Sequence, residues 1–244
     1  MNRLRKLVYK DKLRCLSLDV FDTLLLRNNS SELKRFYEVS CLQKLMLEKK
    51  GYFFSVEELF RVRCTTHNLG YRVAPLVQFT REGRLDQMFS MLCQYLKLPR
   101  EYVTKLIQCE IEYESKVLTP NYPLIEIAKE AKEAGLLLVV TSDMYLSKEA
   151  MAQLLSIAVP DLKFDSIFVS SDNGVAKHSS GLLYEIVAKH LKITLESILH
   201  VGDNYYADYL QALSVGVNAL HLPVSPANKV LRKLNKKYQK HILS

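Results

Sequence analysis

The alternation of apolar runs and polar breaks divides this chain into three stretches. Residues 13–18 (Leu-Arg-Cys-Leu-Ser-Leu) make a short run that ends in Asp19 and predicts a strand. From about 30 to 117 the chain reads as helices throughout. Ser30 and Ser31 can cap a helix that runs to about Lys50, with Gly51 as its stop. Ser55 and Glu58 form a capping-box pattern for a helix reaching Asn68. Two further helical stretches, about 85–97 and 100–117, flank Pro99.

After Pro120 the pattern changes. A helix over about 123–134 ends at Gly135, and the run Leu136 to Thr141 follows as a buried strand. A helix at about 147–157 precedes a strand near 166–170, and a helix near 181–192 leads to a strand at 198–201. A helix over about 206–215 leads to a last strand near 218–222. Apolar strands alternating with helices predict parallel βαβ units and an α/β, Rossmann-like doubly wound sheet. The sheet starts at residue 13, pauses through the helical stretch and resumes at 136. The expected organisation is therefore a core of 1–26 and 119–225, an inserted all-helical cap over 27–118, and a basic C-terminal helix or tail over 226–244. Val230, Leu231, Leu234 and Tyr238 would form the tail's apolar side.

Ligands of parallel α/β sheets bind at the carboxyl ends of the strands. Asp19-Val20-Phe21-Asp22-Thr23 follows the first predicted strand, and Thr141, Ser142 and Asp143 close the second. Lys177 comes a few residues after the third, and Gly202-Asp203-Asn204 through Asp208 after the fourth. Each strand end offers a carboxylate, a hydroxyl or an ammonium. Such a set suits phosphoryl transfer: a carboxylate can attack phosphorus to give an aspartyl phosphate that water then hydrolyses. An anionic nucleophile needs a cation beside the anionic phosphoryl group. Mg2+ is satisfied by one or two carboxylates plus a carbonyl, which Asp19 and Asp203 could begin to supply. Lys177 would add positive charge and Ser142 a hydrogen bond.

These segments resemble the motifs of the haloacid-dehalogenase-like (HAD) superfamily, in order, across residues 13–222. The first motif, D-x-D-x-T, corresponds to Asp19 through Thr23. The closing Ser or Thr corresponds to Ser142, with Thr141 the alternative. The lysine before a helix corresponds to Lys177, and G-D-x-x-x-x-D to Gly202 through Asp208. The resemblance implies an Asp19 nucleophile with Ser142 and Lys177 catalytic, and a helical cap that sets substrate choice. It also implies Mg2+ on Asp19, the Phe21 carbonyl, Asp203 and Asp208. Thr23, Ser142, Asp143, Lys177 and Asn204 would face the substrate, a small phosphorylated metabolite.

The chain departs from the motif at one place. Phe21 stands where the family's phosphatases carry the acid/base aspartate. Asp22 either substitutes for it or hydrogen-bonds the turn. For Asp208 the choice is metal ligand or outer support, and for Asn204 metal shell or loop ordering. Asp143 either orients Ser142 or makes a helix-side hydrogen bond. In the cap, His67, Tyr71, Arg72, Arg81 and Arg84 offer polar groups, as does Arg27 at its entrance. The D-x-F-D-T form resembles a subgroup associated with bacterial glycosyltransferases, which points to sugar or polyol phosphates and a glycosyltransferase partner. Two other classes compete: a phosphate-binding or scaffold module with weak turnover, and a metal-free dehalogenase-type hydrolase.

Composition narrows the setting. The 244 residues are 48% hydrophobic and 25% charged, the balance of a globular protein. No apolar run approaches the roughly 20 residues of a membrane helix, and none follows the basic N-terminus as in a signal peptide. Five scattered cysteines, with no C-x-x-C pair, indicate neither a zinc site nor a disulfide framework and suggest a cytoplasmic protein. The net charge of +8 gathers at the ends. From Ser225 to Ser244 there are Lys229, Arg232, Lys233, Lys236, Lys237 and Lys240 and no acidic residue. That charge could hold an acidic partner, a membrane surface or nucleic acid, though no nucleic-acid recognition motif accompanies it. Oligomeric state is not encoded in any pattern found.

Overall fold

The computed structural model describes residues 1–9 and 12–243, with side chains through Lys237. Tyr238 and Lys240, assigned above to the basic tail, have side chains outside the described residues, as does Lys10 at the basic N-terminus. In chain order the elements are α1 (Asn2–Val8), β1 (Cys15–Leu18), β2 (Leu25–Leu26), α2 (Glu32–Glu48), α3 (Val56–Val73), α4 (Leu85–Tyr95) and α5 (Tyr102–Val117). There follow β3 (Thr119–Pro120), α6 (Tyr122–Glu133), β4 (Leu137–Ser142), α7 (Lys148–Ala158), β5 (Ser166–Val169), α8 (Ser170–Asn173), α9 (Lys177–Ser180) and α10 (Leu182–Leu191). The chain closes with β6 (Ile198–Gly202), a π-helical turn (Tyr205–Leu210) running into α11 (Gln211–Ser214), β7 (Asn218–His221) and α12 (Pro226–Leu243).

Contacts divide the chain into two compact units. The first, Met1–Leu26, Pro75–Glu82 and Leu118–Val224, carries the sheet. Its strand order is β5-β4-β1-β6-β7, and every neighbouring pair is parallel. This is the expected doubly wound arrangement, with β1 central. β1 is buried at all four positions, as a strand covered on both faces must be. Cys15, Val139 and Ile198 meet Leu183, Tyr184 and Val187 of α10 in a common cluster. Beyond β1, β2 and β3 form a two-stranded antiparallel ribbon that the sequence pattern did not reveal, because two residues cannot display a period. The helix expected over 206–215 begins instead as the π-helical turn, capped by the Asn204 side chain, which accepts from the Tyr206 and Ala207 amides at 3.0 Å.

The second unit, Arg27–Ala74, Gly83–Val117 and Ser225–Ser244, is helical. Ser31 caps α2 by accepting from the Lys34 amide, and Ser55 caps α3 from the Glu58 amide. α3 continues five residues past the expected end, to Val73, because its apolar face keeps packing on α4. Arg63 is fully buried there, pairing with Glu110 at 3.2 Å between the Phe36 and Phe89 rings. Two boundaries differ from the expected domains. Pro75–Glu82, placed in the cap by its sequence, makes its contacts with the sheet unit, and Ser225–Ser244 makes its contacts with the helical unit, α12 lying on α2. No helix among the described residues is long and apolar enough to cross a membrane.

Candidate active site

The site assembles entirely within the sheet unit. Asp19 follows β1 directly, its amide held by the Val201 carbonyl at 2.9 Å, and only 7% of its surface is exposed. Ser142, the last residue of β4, donates to Asp19 Oδ1 at 2.9 Å. Thr141 beside it is buried within hydrogen-bond reach of Ser17, so of the two hydroxyls it is Ser142 that meets the carboxylate. Lys177 opens α9, and its Nζ lies 2.9 Å from Asp19 Oδ1 and 2.6 Å from Asp208 Oδ1. Asp203 joins Asp19 and Asp208 in a group whose oxygens lie within 4.8 Å of one another.

Electrostatics explain why these groups hold together. Burial by itself would strip Lys177 of its proton, but the Asp19 and Asp208 carboxylates outweigh that and raise it well above its ordinary value. Burial likewise pushes up Asp208, yet Lys177 and His200 more than compensate and hold it below the usual carboxylate range. For Asp19 burial wins, and its carboxyl is raised despite Lys177. Asp203 is pushed up to about 7, by burial first and then by the neighbouring Asp19, Asp22 and Asp208. Three carboxylates therefore converge around one ammonium. A divalent cation fits this donor set: it supplies the positive charge that the cluster lacks, through oxygen ligands it prefers.

Supporting contacts fix the geometry. Asp208 Oδ2 accepts from the Asn204 amide at 2.9 Å, and a Cβ added at Gly202 would sit 2.2 Å from the Asp208 carboxyl. Glycine at 202 is thus the clearance through which Asp208 reaches Lys177. Behind Asp208 lies a buried relay. His200 Nε2 is 3.2 Å from Asp208, His200 Nδ1 is 2.8 Å from the Ser17 hydroxyl, and Ser17 is 2.8 Å from Thr141. Burial lowers the His200 pKa, with the hydrogen bond to Asp208 opposing, and the two ring nitrogens face Asp208 and Ser17. Sequence reasoning missed this relay. Its signal was a polar residue in each of two apolar strands, Ser17 and His200, which face each other in register.

The remaining expected residues make the following contacts. Asp143 accepts from the Lys177 amide at 2.8 Å and from the His178 amide at 3.2 Å, so it anchors the start of α9. It also contacts His178 Nδ1 at 3.0 Å, while His178 Nε2 lies 3.4 Å from Thr80 of the segment Pro75–Glu82. Glu82, buried and raised by that burial, bonds Thr80 and Ser170 beside them. Neither His178 nor Glu82 had been singled out from the sequence. Asn204 spends its side-chain oxygen on the π-helical turn, which favours its loop-ordering role. Asp22 has φ +62° and donates its amide to the Leu25 carbonyl, placing it in the turn that opens the ribbon. Phe21 is buried, and Thr23 is fully buried with its carbonyl accepting from Asn121. In the helical unit, His67 sits between the rings of Phe36 and Tyr71, and Arg84 pairs with Asp86.

A parallel sheet that gathers acids, a serine and a lysine at its strand ends defines an α/β protein of the hydrolase kind. The family of haloacid dehalogenase-like hydrolases matches residues 14–216, and the chain belongs to it. Among solved structures, an L-2-haloacid dehalogenase aligns with 88% of this chain and 87% of its own, at 17% identity and TM-score 0.53. A haloacid dehalogenase-like hydrolase from Xanthomonas campestris aligns with 95% and 97%, at 13% identity and TM-score 0.51. A HAD family enzyme from Bacteroides thetaiotaomicron aligns with 89% and 98%, at 10% identity and TM-score 0.52. At these identities the likeness is one of fold. No curated protein matches the chain significantly.

Two outcomes test this site. Replacing Lys177 by Met leaves two buried carboxylates without their counter-ion, and should cost about 3–5 kcal/mol in metal-free urea denaturation. His178 is raised above its ordinary pKa, chiefly by its hydrogen bond to Asp143, with burial opposing. Its contribution to stability is present below the unfolded value and is lost as pH rises through the folded one. NMR titration should place the His178 midpoint above 6.5, and Asp143→Asn should bring it down.

Proposed function

We propose that the chain is a Mg2+-dependent phosphatase acting on a small phosphorylated metabolite, with Asp19 as nucleophile. The observation that carries this reading is the meeting of Asp19, Ser142, Lys177, Asp203 and Asp208 in one cluster, in which Asp203 is half-buried and the others are buried. Asp19, the Phe21 carbonyl, Asp203 and Asp208 would hold Mg2+, which when bound supplies charge neutralisation between the carboxylate and the phosphoryl oxygens.

The chain's own residues account for the rest. Asp19 Oδ1 accepts from both Ser142 and Lys177, which holds the carboxylate in one orientation and leaves Oδ2 to attack phosphorus. As the Asp19–phosphorus bond forms, the bond to the leaving oxygen breaks. Lys177, and Ser142 once its hydroxyl turns from Asp19, would bind the transferring phosphoryl oxygens. Water then attacks phosphorus, the bond to Asp19 breaks, and inorganic phosphate leaves with Asp19 restored.

The leaving oxygen needs a proton that the Phe21 ring cannot give. General acid catalysis contributes about 10²–10⁴-fold, so leaving groups that depart without a proton should be favoured. Sugar and polyol phosphates stand first in the substrate panel because the D-x-F-D-T segment resembles the subgroup named above.

The test is a phosphorylated-metabolite panel with Mg2+, run on the wild type and Asp19→Asn together. Turnover should vanish in the variant, and hydrolysis at the wild-type rate would refute the Asp19 mechanism. Aryl or acyl phosphates should turn over at least about a hundredfold faster than alkyl phosphates. Equal rates would show that another group donates the proton. Ligand and metal binding with negligible turnover across the panel would favour the scaffold reading. Activity on a 2-haloacid that survives EDTA would favour the dehalogenase one.

A further inference from the structure

α12 is amphipathic, yet it lies against its own unit the wrong way round. Asn228, Arg232 and Asn235, spaced along one helical face, are its half-buried residues among those described. Arg232 donates to the Arg27 carbonyl and Asn235 to the Asn29 carbonyl, both at 2.9 Å. Ala227, Val230, Leu231 and Leu234 recur at the i, i+3, i+4, i+7 spacing of a single apolar stripe, and all four are exposed. Val230 is 57% exposed and Leu234 60%. A surface helix ordinarily buries that stripe and shows water its polar face. Here polar groups hold the helix in place, and Ala227, Val230, Leu231 and Leu234 are left facing outward. Ser225 caps the helix start by accepting from the Asn228 amide, so the stripe is presented on an ordered helix.

The charge around the stripe says what can cover it. Lys229, Lys233, Lys236 and Lys237 are all exposed, and no acidic residue occurs from Ser225 to Ser244. Two copies pairing stripe to stripe would bring these lysines into one interface with no acid on either helix to neutralise them. Nucleic acid would answer the lysines but offer no apolar phase for Val230, Leu231 and Leu234. A lipid surface bearing anionic headgroups answers both: hydrocarbon for the stripe, negative charge for the lysines.

We propose that α12 is an interfacial helix that docks this protein reversibly on an anionic membrane surface, through Val230, Leu231 and Leu234 with flanking lysines. The helix lies in the plane of the interface and does not span. This assignment is independent of the catalytic reading, since it uses none of the residues placed in that site.

The sequence contains no tryptophan, so one introduced fluorophore reports alone. In the full chain, Leu234→Trp emission should shift to the blue on adding vesicles of equimolar phosphatidylcholine and phosphatidylglycerol. Tyr95→Trp, at an exposed position in α4, should not shift. The unlabelled protein should co-sediment with the same vesicles at about 50 mM salt and at least tenfold less at about 500 mM. It should not co-sediment with phosphatidylcholine alone. The double variant Leu231→Ser, Leu234→Ser should bind the anionic vesicles at least tenfold more weakly with an unchanged circular dichroism spectrum. Any of three results overturns the proposal: no sedimentation with anionic vesicles at low salt; full retention by the double serine variant, which would reduce the effect to charge; or a concentration-dependent dimer that the serine substitutions dissolve, which would give the stripe to a second copy.

Discussion

The Lys177 ammonium, held between Asp19 and Asp208, is the interaction on which the rest of the sheet unit is organised. It is buried to 2% exposure and would not keep its proton there without both carboxylates. They in turn could not be brought so close without it. The same contact joins the end of the central strand, the start of α9 and the turn after β6. Much of the surrounding design serves to hold it. Asp143 fixes the backbone from which Lys177 projects, Gly202 leaves room for Asp208, and Ser142 shares Oδ1 of Asp19.

The relay behind Asp208 extends that constraint into the sheet. His200, between a carboxylate and a serine, has both nitrogens committed, so its ring cannot rotate without losing a buried hydrogen bond. Tyr184 packs against the His200 ring and donates to the Ala207 carbonyl, one residue before Asp208. Asp208 is thus positioned through its side chain and through its backbone at once, which is what a precise charge cluster requires.

Much of this was legible in the sequence because it depends on local pattern. The run ending at Asp19, the glycine stops and the alternation after Pro120 each report one strand or helix and its end. Strand-end chemistry then placed Asp19, Ser142, Lys177 and Asp203 together before any coordinates did. What remained hidden depends on long-range contact. Ser17 and His200 look like interruptions of apolar strands until register sets them opposite one another. Thr80 and Glu82 sit in a helical region by sequence, and only tertiary packing carries them to His178 and Ser170. The outward stripe of α12 could be read as amphipathic, but its orientation is decided by carbonyls at Arg27 and Asn29, some two hundred positions away.

The two units interleave along the chain, which passes from one to the other five times. No contiguous fragment therefore contains either unit complete without part of the other. Removing residues 27–117 to isolate the sheet would also delete Pro75–Glu82, and with it the partners of His178 and Ser170. Ending the chain before Ser225 would strip α2 of a helix that packs on it. Dissection by truncation is thus a poor tool for this protein. Its folding must close loops across most of its length.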